Sequence, residues 1–348
     1  MRSTWDWLLF TRILAIGAIS ISIIFSVNRG LALNQLIFWT IGIIGFYIVS
    51  QLHFDNWKNI AIPLYVTTLL ALSLLFIIAS PVRGSIRWVD FGIFRVQPSE
   101  VAKIASIFFL AGFYTQKAAS DLKNAIFALI ILLPAIVLIF AEPDIGNAMV
   151  IFAIWLGVSI ISGLKFKNLI LLFTFFALVT VSFFEILSPY QKQRLQTFLN
   201  PNRDPLGAGY NIIQSKIAIG SGRLFGKGLG KGSQSQLNFL PEAESDFIFA
   251  SLAEQLGLFG ASLLLIIYVS MILRINSIAQ KSQKLGQLML AGISSFFLMQ
   301  FLVNVGMNLS LLPVTGITLP LVSYGGSSLI SSLFLLGVAF SILRFTPN

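Results

Sequence analysis

The chain has 348 residues, 56% of them hydrophobic and 10% charged, with a mean hydropathy of +0.88, where an ordinary soluble domain carries roughly 25% charged residues. Its 23 Lys and Arg against 13 Asp and Glu give a net charge of +10, but the basic residues sit in short stretches between apolar runs and not on one aqueous face. That argues against a nucleic-acid partner and for anionic lipid. With no cysteine and one histidine, His53, disulfides, thiol chemistry and multi-histidine metal centres are excluded.

A helix crossing a bilayer core needs about 20 apolar residues. Such runs fall at 8–27, 33–51, 60–80, 99–115, 123–141, 146–162, 167–187, 247–273, 286–310 and 327–344. They predict an all-α, polytopic integral membrane protein of about ten transmembrane helices, forming one domain over 1–348. Arg2 and Arg12 flank the first run and no small-residue cleavage site follows it, so it reads as a retained span. A polar, Gly-rich loop at 188–246 joins the seventh and eighth runs, and a large extracytoplasmic loop is expected there.

An even number of spans puts both termini on one side. With cytoplasmic termini, 11 basic residues lie inside and 11 outside, and Lys103 lies within the fourth run. Seven of the outer ones belong to the long loop, which the positive-inside rule does not count. The short outer loops then hold only Arg29, Arg83, Arg87 and Arg95, the last three within 13 residues. Cations gathered against the topology signal point to an anionic ligand.

Five stretches could carry chemistry. From Arg83 through Arg87, Arg95, Gln97, Ser99 and Glu100 to Lys103, Pro98 reads as a helix start with Ser99 as a possible cap. Glu100 and Lys103 share a helical face there, either as a packing ion pair or with Lys103 and the arginines gripping phosphate oxygens. Glu142-Pro143-Asp144-Ile145-Gly146 reads as a tight turn in preference to a two-carboxylate cation site. Glycines and cations alternate from Gly220 to Gly232, which suits amides wrapped around an anion, although the signal alone is weak and a flexible solvated loop is the preferred reading. Leu312 to Ser328, with two prolines and Ser323, is either a re-entrant segment or a connecting loop.

The fifth stretch is Phe239-Leu-Pro241-Glu242-Ala-Glu244-Ser-Asp246, three carboxylates at the edge of the eighth run. Partial desolvation and like charges raise a carboxylate towards the range of a general base, which suits Asp246. An acidic helix N-terminus favoured by the macrodipole is the competing reading.

With these strings in place, the chain resembles the shape, elongation, division and sporulation (SEDS) proteins, the elongation branch more than the division branch. The resemblance rests on Arg87-Trp-Val-Asp, Gln97-Pro-Ser-Glu-Val-Ala-Lys103, Pro143-Asp-Ile-Gly, the glycines of 207–232, Phe239-Leu-Pro-Glu, Asp246-Phe-Ile-Phe-Ala, Leu312-Pro-Val-Thr-Gly and Ser323-Tyr-Gly-Gly-Ser-Ser. It implies a ten-helix plasma-membrane glycosyltransferase that polymerises lipid II into β-1,4 glycan strands on the outer face. It also implies a class B penicillin-binding protein as transpeptidase partner, alongside other elongation proteins. The position matching the family's essential carboxylate is Asp246. Glu142 and Glu244 depart from the pattern, which carries Gln and His there.

On that resemblance, Asp246 is expected to take the proton from the acceptor hydroxyl. Arg87, Lys103 and Arg223, with Gln97, Ser99 and Ser323, are expected to bind the pyrophosphate of the donor. Glu100, Asp144, Pro241, Glu242 and Glu244 are expected to support them. No cofactor is certain; a divalent cation, Mg or Mn, stays open, with its ligands unknown. Two other classes remain, a flippase for the lipid-linked precursor and a non-catalytic scaffold of the elongation machinery.

Overall fold

The computed structural model describes residues 5–78, 87–90, 92, 95–172, 174, 189–207 and 209–346. Nine of the ten apolar runs form helices among these residues: α1 (Trp7–Val27), α2 (Arg29–Gln51), α3 (Asp55–Ile78), α4 (Pro98–Gln116), α5 (Leu122–Ala141) and α6 (Ile145–Ile161) precede the long loop, and α10 (Ile248–Lys281), α11 (Lys284–Asn308) and α12 (Gly326–Phe345) follow it. Most of the run at 167–187, and Arg83, lie outside the described residues.

Side-chain caps start several of these helices. Asp6 accepts from Leu9 N at α1, Asn28 from Gly30 N and Leu31 N at α2, Asp121 from Lys123 N at α5 and Asp144 from Asn147 N at α6. Each oxygen satisfies amides that the helix itself leaves unpaired. α4 starts differently: Pro98 stands in its first turn and Gln97 at the cap position without a side-chain bond, so the expected capping role of Ser99 is not realised. Ser99 lies inside the helix, fully buried.

Seven helices, α1, α2, α3, α5, α10, α11 and α12, are long and apolar enough to cross a membrane. α11 and α12 are buried over 78% and 72% of their most apolar stretch, against 28–39% for the other five. The first two therefore form the centre of the bundle and the rest present an apolar face outward, as lipid-facing helices do. α12 packs on α2, α11 on α6 and α3 on α4. α4 is the polar member of the set, with both Glu100 and Lys103 enclosed.

The fold also holds a small antiparallel hairpin, β1 (Val89–Asp90) with β2 (Arg95–Val96), an addition to the all-α expectation. The Asp90 carboxylate accepts from Gly92 N (2.8 Å) and from Arg95 Nε (2.9 Å), and the Gly92 bond first and Arg95 second hold it below the usual carboxylate range.

Within 188–246 the chain folds into α7 (Pro189–Leu199), a single 3-10 turn at Pro201–Arg203, α8 (Tyr210–Gly222) and a one-turn α9 (Ser233–Gln236). The glycine-rich part is docked on α10. Gly257 interrupts α10 with φ +68°, a conformation for which glycine is suited because it has no Cβ. A Cβ at this position would run into Gly226 N. Across the break, Leu258 N and Phe259 N donate to Arg223 O (2.8 Å) and Leu224 O (3.1 Å), and Lys227 N and Gly228 N donate to Glu254 O and Gln255 O (both 3.0 Å).

The anion inside this loop is internal. Glu254 is fully buried, and its carboxylate accepts from Lys227 Nζ (3.0 Å), Gln234 N (2.9 Å), Ser235 N (3.1 Å) and Ser235 Oγ (3.0 Å). Of the cations between Gly220 and Gly232, Lys227 thus pairs with a carboxylate of α10, while Arg223 and Lys231 are exposed.

Candidate active site at the Gly316 turn

The segment between α11 and α12 has irregular backbone yet is deeply buried, with Leu319, Leu321 and Val322 at 0–1% exposure. Irregular chain inside protein must find partners for its polar backbone groups, and here buried amides and hydroxyls supply them. Asn304 Nδ2 donates to Ile317 O (2.8 Å), Gln35 Nε2 to Ser323 O (3.1 Å), and Ser20 Oγ to Val322 O (2.6 Å). Ser323 Oγ accepts from Leu319 N (2.8 Å) and donates to Ser245 O (2.7 Å).

That last bond fixes the segment against the acidic stretch. Tyr324 N donates to Glu244 O (2.8 Å). The carbonyl of Asp246 accepts from Asn304 Nδ2 (3.1 Å) and Asn308 Nδ2 (3.0 Å), while Asn308 Oδ1 accepts from Ala250 N (3.0 Å). The main chain at Asp246 is therefore clamped from α11 on one side and from the buried segment on the other. The cap residue of α10 is Phe247, which makes no side-chain bond. Asp246 is half-buried, as are Glu242 and Glu244, and Pro241 is exposed. Ser245 Oγ donates to Glu242 Oε2 (2.9 Å).

Gly316 is where this carboxylate meets a cation. Its φ is +77°, and the point where a Cβ would stand lies 3.5 Å from Asp246 Oδ2 and 3.7 Å from Arg87 Nη1. The two charged groups flank the same open side of one glycine. Arg87 is held there by donation from Nη2 to Pro143 O and by its ion pair with Asp144 Oδ2 (Nε at 3.6 Å), both side chains being largely enclosed.

Asp144 is the hub behind Arg87. Besides capping α6, its carboxylate accepts from Asn147 Nδ2 (2.8 Å) and Gln97 Nε2 (3.3 Å). Asn147 Nδ2 also reaches Ser99 Oγ (3.3 Å). Lys103, fully enclosed, donates to Glu100 Oε1 (2.8 Å), Asn147 Oδ1 (3.0 Å) and Gln300 Oε1 (3.3 Å). Three acceptors use all three protons of an ammonium. In this conformation Lys103 reaches Arg87 only through Asn147 and Asp144, so its link to the site is indirect.

The structure thus brings together Asp246, Arg87, Asp144, Gln97, Ser99, Glu100, Lys103 and Ser323. Arg223 is exposed at the end of α8, bound to the cluster by its backbone alone, through the loop. Asn147, Gln300, Asn304, Asn308 and Gln35 are site residues the sequence reading did not single out. Among the described residues no three His, Cys, Asp or Glu gather as a metal cage, and the Asp144 oxygens are already engaged.

Glu142 is 1% exposed, and neither carboxylate oxygen has a hydrogen-bond partner. Burial first and the Asp144 charge second push its carboxyl up to about 8 against the opposing Arg87.

The family model for cell cycle proteins of the FtsW/RodA/SpoVE type matches residues 4–348. The chain belongs to the FtsW/RodA/SpoVE family. It is 40% identical over 304 residues to the peptidoglycan glycosyltransferase MrdB of Escherichia coli (strain K12), covering 86% of this chain and 82% of that protein. It is 36% identical over 324 residues to stage V sporulation protein E of Bacillus subtilis (strain 168), covering 90% and 87%. The fold is similar to a chain of a peptidoglycan synthase complex studied for how polymerization and crosslinking are coordinated, with TM-score 0.86, 28% identity and 99% of both chains covered. It is also similar to the rod shape determining protein RodA of Thermus thermophilus, with TM-score 0.74, 28% identity and 100% and 99% covered. For this FtsW/RodA/SpoVE member, the elements around Gly316 therefore come from a fold shared along nearly its whole length.

Proposed function

We propose that the chain is a peptidoglycan glycosyltransferase that joins lipid II-type donors into β-1,4 glycan strands for cell elongation. The observation that carries this reading is the pair at Gly316, a carboxylate and a guanidinium on the same side of one glycine. A sugar acceptor attacking an anomeric carbon needs a base for its hydroxyl proton, and the pyrophosphate that leaves needs a cation. Asp246 takes the proton of the acceptor hydroxyl. The oxygen attacks the anomeric carbon, the bond to the pyrophosphate oxygen breaks, and Arg87 stabilises the charge that develops there. An α-linked donor giving a β-linked product needs one displacement and no covalent sugar intermediate. Groups fixed before reaction act this way without reorganising, and the buried network through Asp144, Asn147 and Lys103 fixes Arg87. No step is routed through a metal.

In this reading the protein has ten spans with both termini in the cytoplasm. The loop at 188–246 and the Gly316 turn face outward, where lipid II and the growing glycan lie. Its partner is a class B penicillin-binding protein, supported by the likeness to a synthase complex that couples polymerization to crosslinking. The test is polymerisation of lipid II by purified Asp246→Asn protein. Loss of polymer with folding and lipid II binding retained is expected, by roughly 100-fold or more as for removal of a general base. Undiminished polymer overturns the reading and leaves a flippase or a scaffold.

A further inference from the structure

Glu142 is a buried acid that the proposed mechanism does not use. Its two oxygens have no hydrogen-bond partner and it is 1% exposed, a setting in which an ionised carboxylate lacks the donors it had in water. Among the described residues, the charged groups that face it are Asp144, two residues along the same turn, and Arg87. The buried segment packed on this turn contributes Thr315 and Ile317 beside Gly146, and neither titrates. α6 contributes the neutral Asn147, behind which lies the Glu100–Lys103 pair. Asp246 is the next carboxylate, across Gly316.

We propose that Glu142 is a positioning residue that works by staying protonated: as a neutral acid it leaves Arg87 shared between Asp144 and the substrate pyrophosphate, and on ionising it draws Arg87 back into the turn. The inference rests on the reading of Arg87 as the group that stabilises the leaving pyrophosphate. With Glu142 neutral, the turn carries one negative charge against the one positive charge of Arg87. When Glu142 gives its proton to water, the turn carries two, and the guanidinium acquires a second anionic neighbour. The positive potential offered to an incoming pyrophosphate falls at the same time. Burial raises the carboxyl to about 8, so this change falls within reach of ordinary assay conditions.

Two measurements on the full chain in lipid nanodiscs decide it. The first follows lipid II polymerisation against pH for the native protein, Glu142→Gln and Asp246→Asn. The native rate is expected to fall about tenfold between about pH 7 and pH 9 as one group of this kind ionises, while Glu142→Gln, neutral at every pH, keeps its rate over that interval. The second is difference infrared spectroscopy. A protonated carboxyl band that titrates near pH 8 is expected in the native protein and absent in Glu142→Gln. An alkaline fall unchanged in Glu142→Gln, or no such band at neutral pH in the native protein, overturns the inference. Full polymerisation by Asp246→Asn instead overturns the functional reading, and the infrared band then still decides the charge state of Glu142.

Discussion

Glu254 and Glu142 are both buried carboxylates at the ends of helices, and their surroundings are opposite. Glu254 accepts from two backbone amides, a lysine and serine hydroxyls, whereas both Glu142 oxygens lack a donor. A carboxylate with every lone pair occupied is a structural bolt: it holds a loop on a helix and has no capacity left for substrate. A carboxylate without donors is costly to ionise and sensitive to whatever charge is nearby. Charge near the Gly316 turn is therefore tuned by an acid kept poor in partners, while charge in the loop is fixed by an acid kept rich in them.

Three substitutions test that contrast. Asp144→Ala removes the hub that ties Arg87 to Asn147 and Gln97. We expect polymerisation to fall about 100-fold, the scale for losing one preorganised electrostatic group, with lipid II binding measured in parallel. A fall of less than threefold would show that Arg87 is held without Asp144. Glu254→Ala orphans the amides of Gln234 and Ser235, and a cost of about 3 kcal/mol is expected from those unmet donors, read as a lower thermal midpoint with residual polymerisation. Unchanged stability would dissolve the contrast with Glu142.

Glu142→Gln has an effect that depends on pH, and it has a sign. The folded protein holds the Glu142 proton up to about pH 8, while the unfolded chain gives it up near 4.5. Ionisation therefore favours the unfolded state increasingly between those values, so native stability declines as pH rises through this window. The glutamine variant lacks the penalty. Its thermal midpoint is expected to exceed the native one by a margin that widens from about pH 5 to pH 8 and then levels, and a margin constant with pH would contradict it.

Much of this was legible beforehand. Long apolar runs announce helices whatever they pack against, and the three-residue spacing of Glu100 and Lys103 announced their pairing, now 2.8 Å. The Glu142–Gly146 turn was visible too, although Gly146 lies inside α6 and does not close the bend. Its place is set by Ile317, which would meet any added Cβ. What stayed hidden depends on residues distant in sequence. Lys227 pairs with Glu254, but nothing local says that a loop cation meets a helix anion 27 positions later. Asn304 and Asn308 were passed over inside an apolar run; their four-residue spacing puts both on one helical face, which is a usable signal for amides reaching a common acceptor. The direct grip of Lys103 on phosphate was expected from its charge alone, and only its three buried acceptors give it an indirect place.

The break at Gly257 has a mechanical meaning. The amides that follow it are bonded to the loop, at Arg223 O and Leu224 O, in place of carbonyls one turn earlier in the helix. The same loop donates from Lys227 N and Gly228 N to Glu254 O and Gln255 O on the other side of the break, while α11 holds the short half at Ala250 N. Tilting of the long half from Leu258 to Lys281 therefore has no continuous helical ladder along which to reach Asp246 and passes through the bridging loop instead. Those four loop hydrogen bonds are the coupling between the half of α10 next to Asp246 and the half with the longer apolar face.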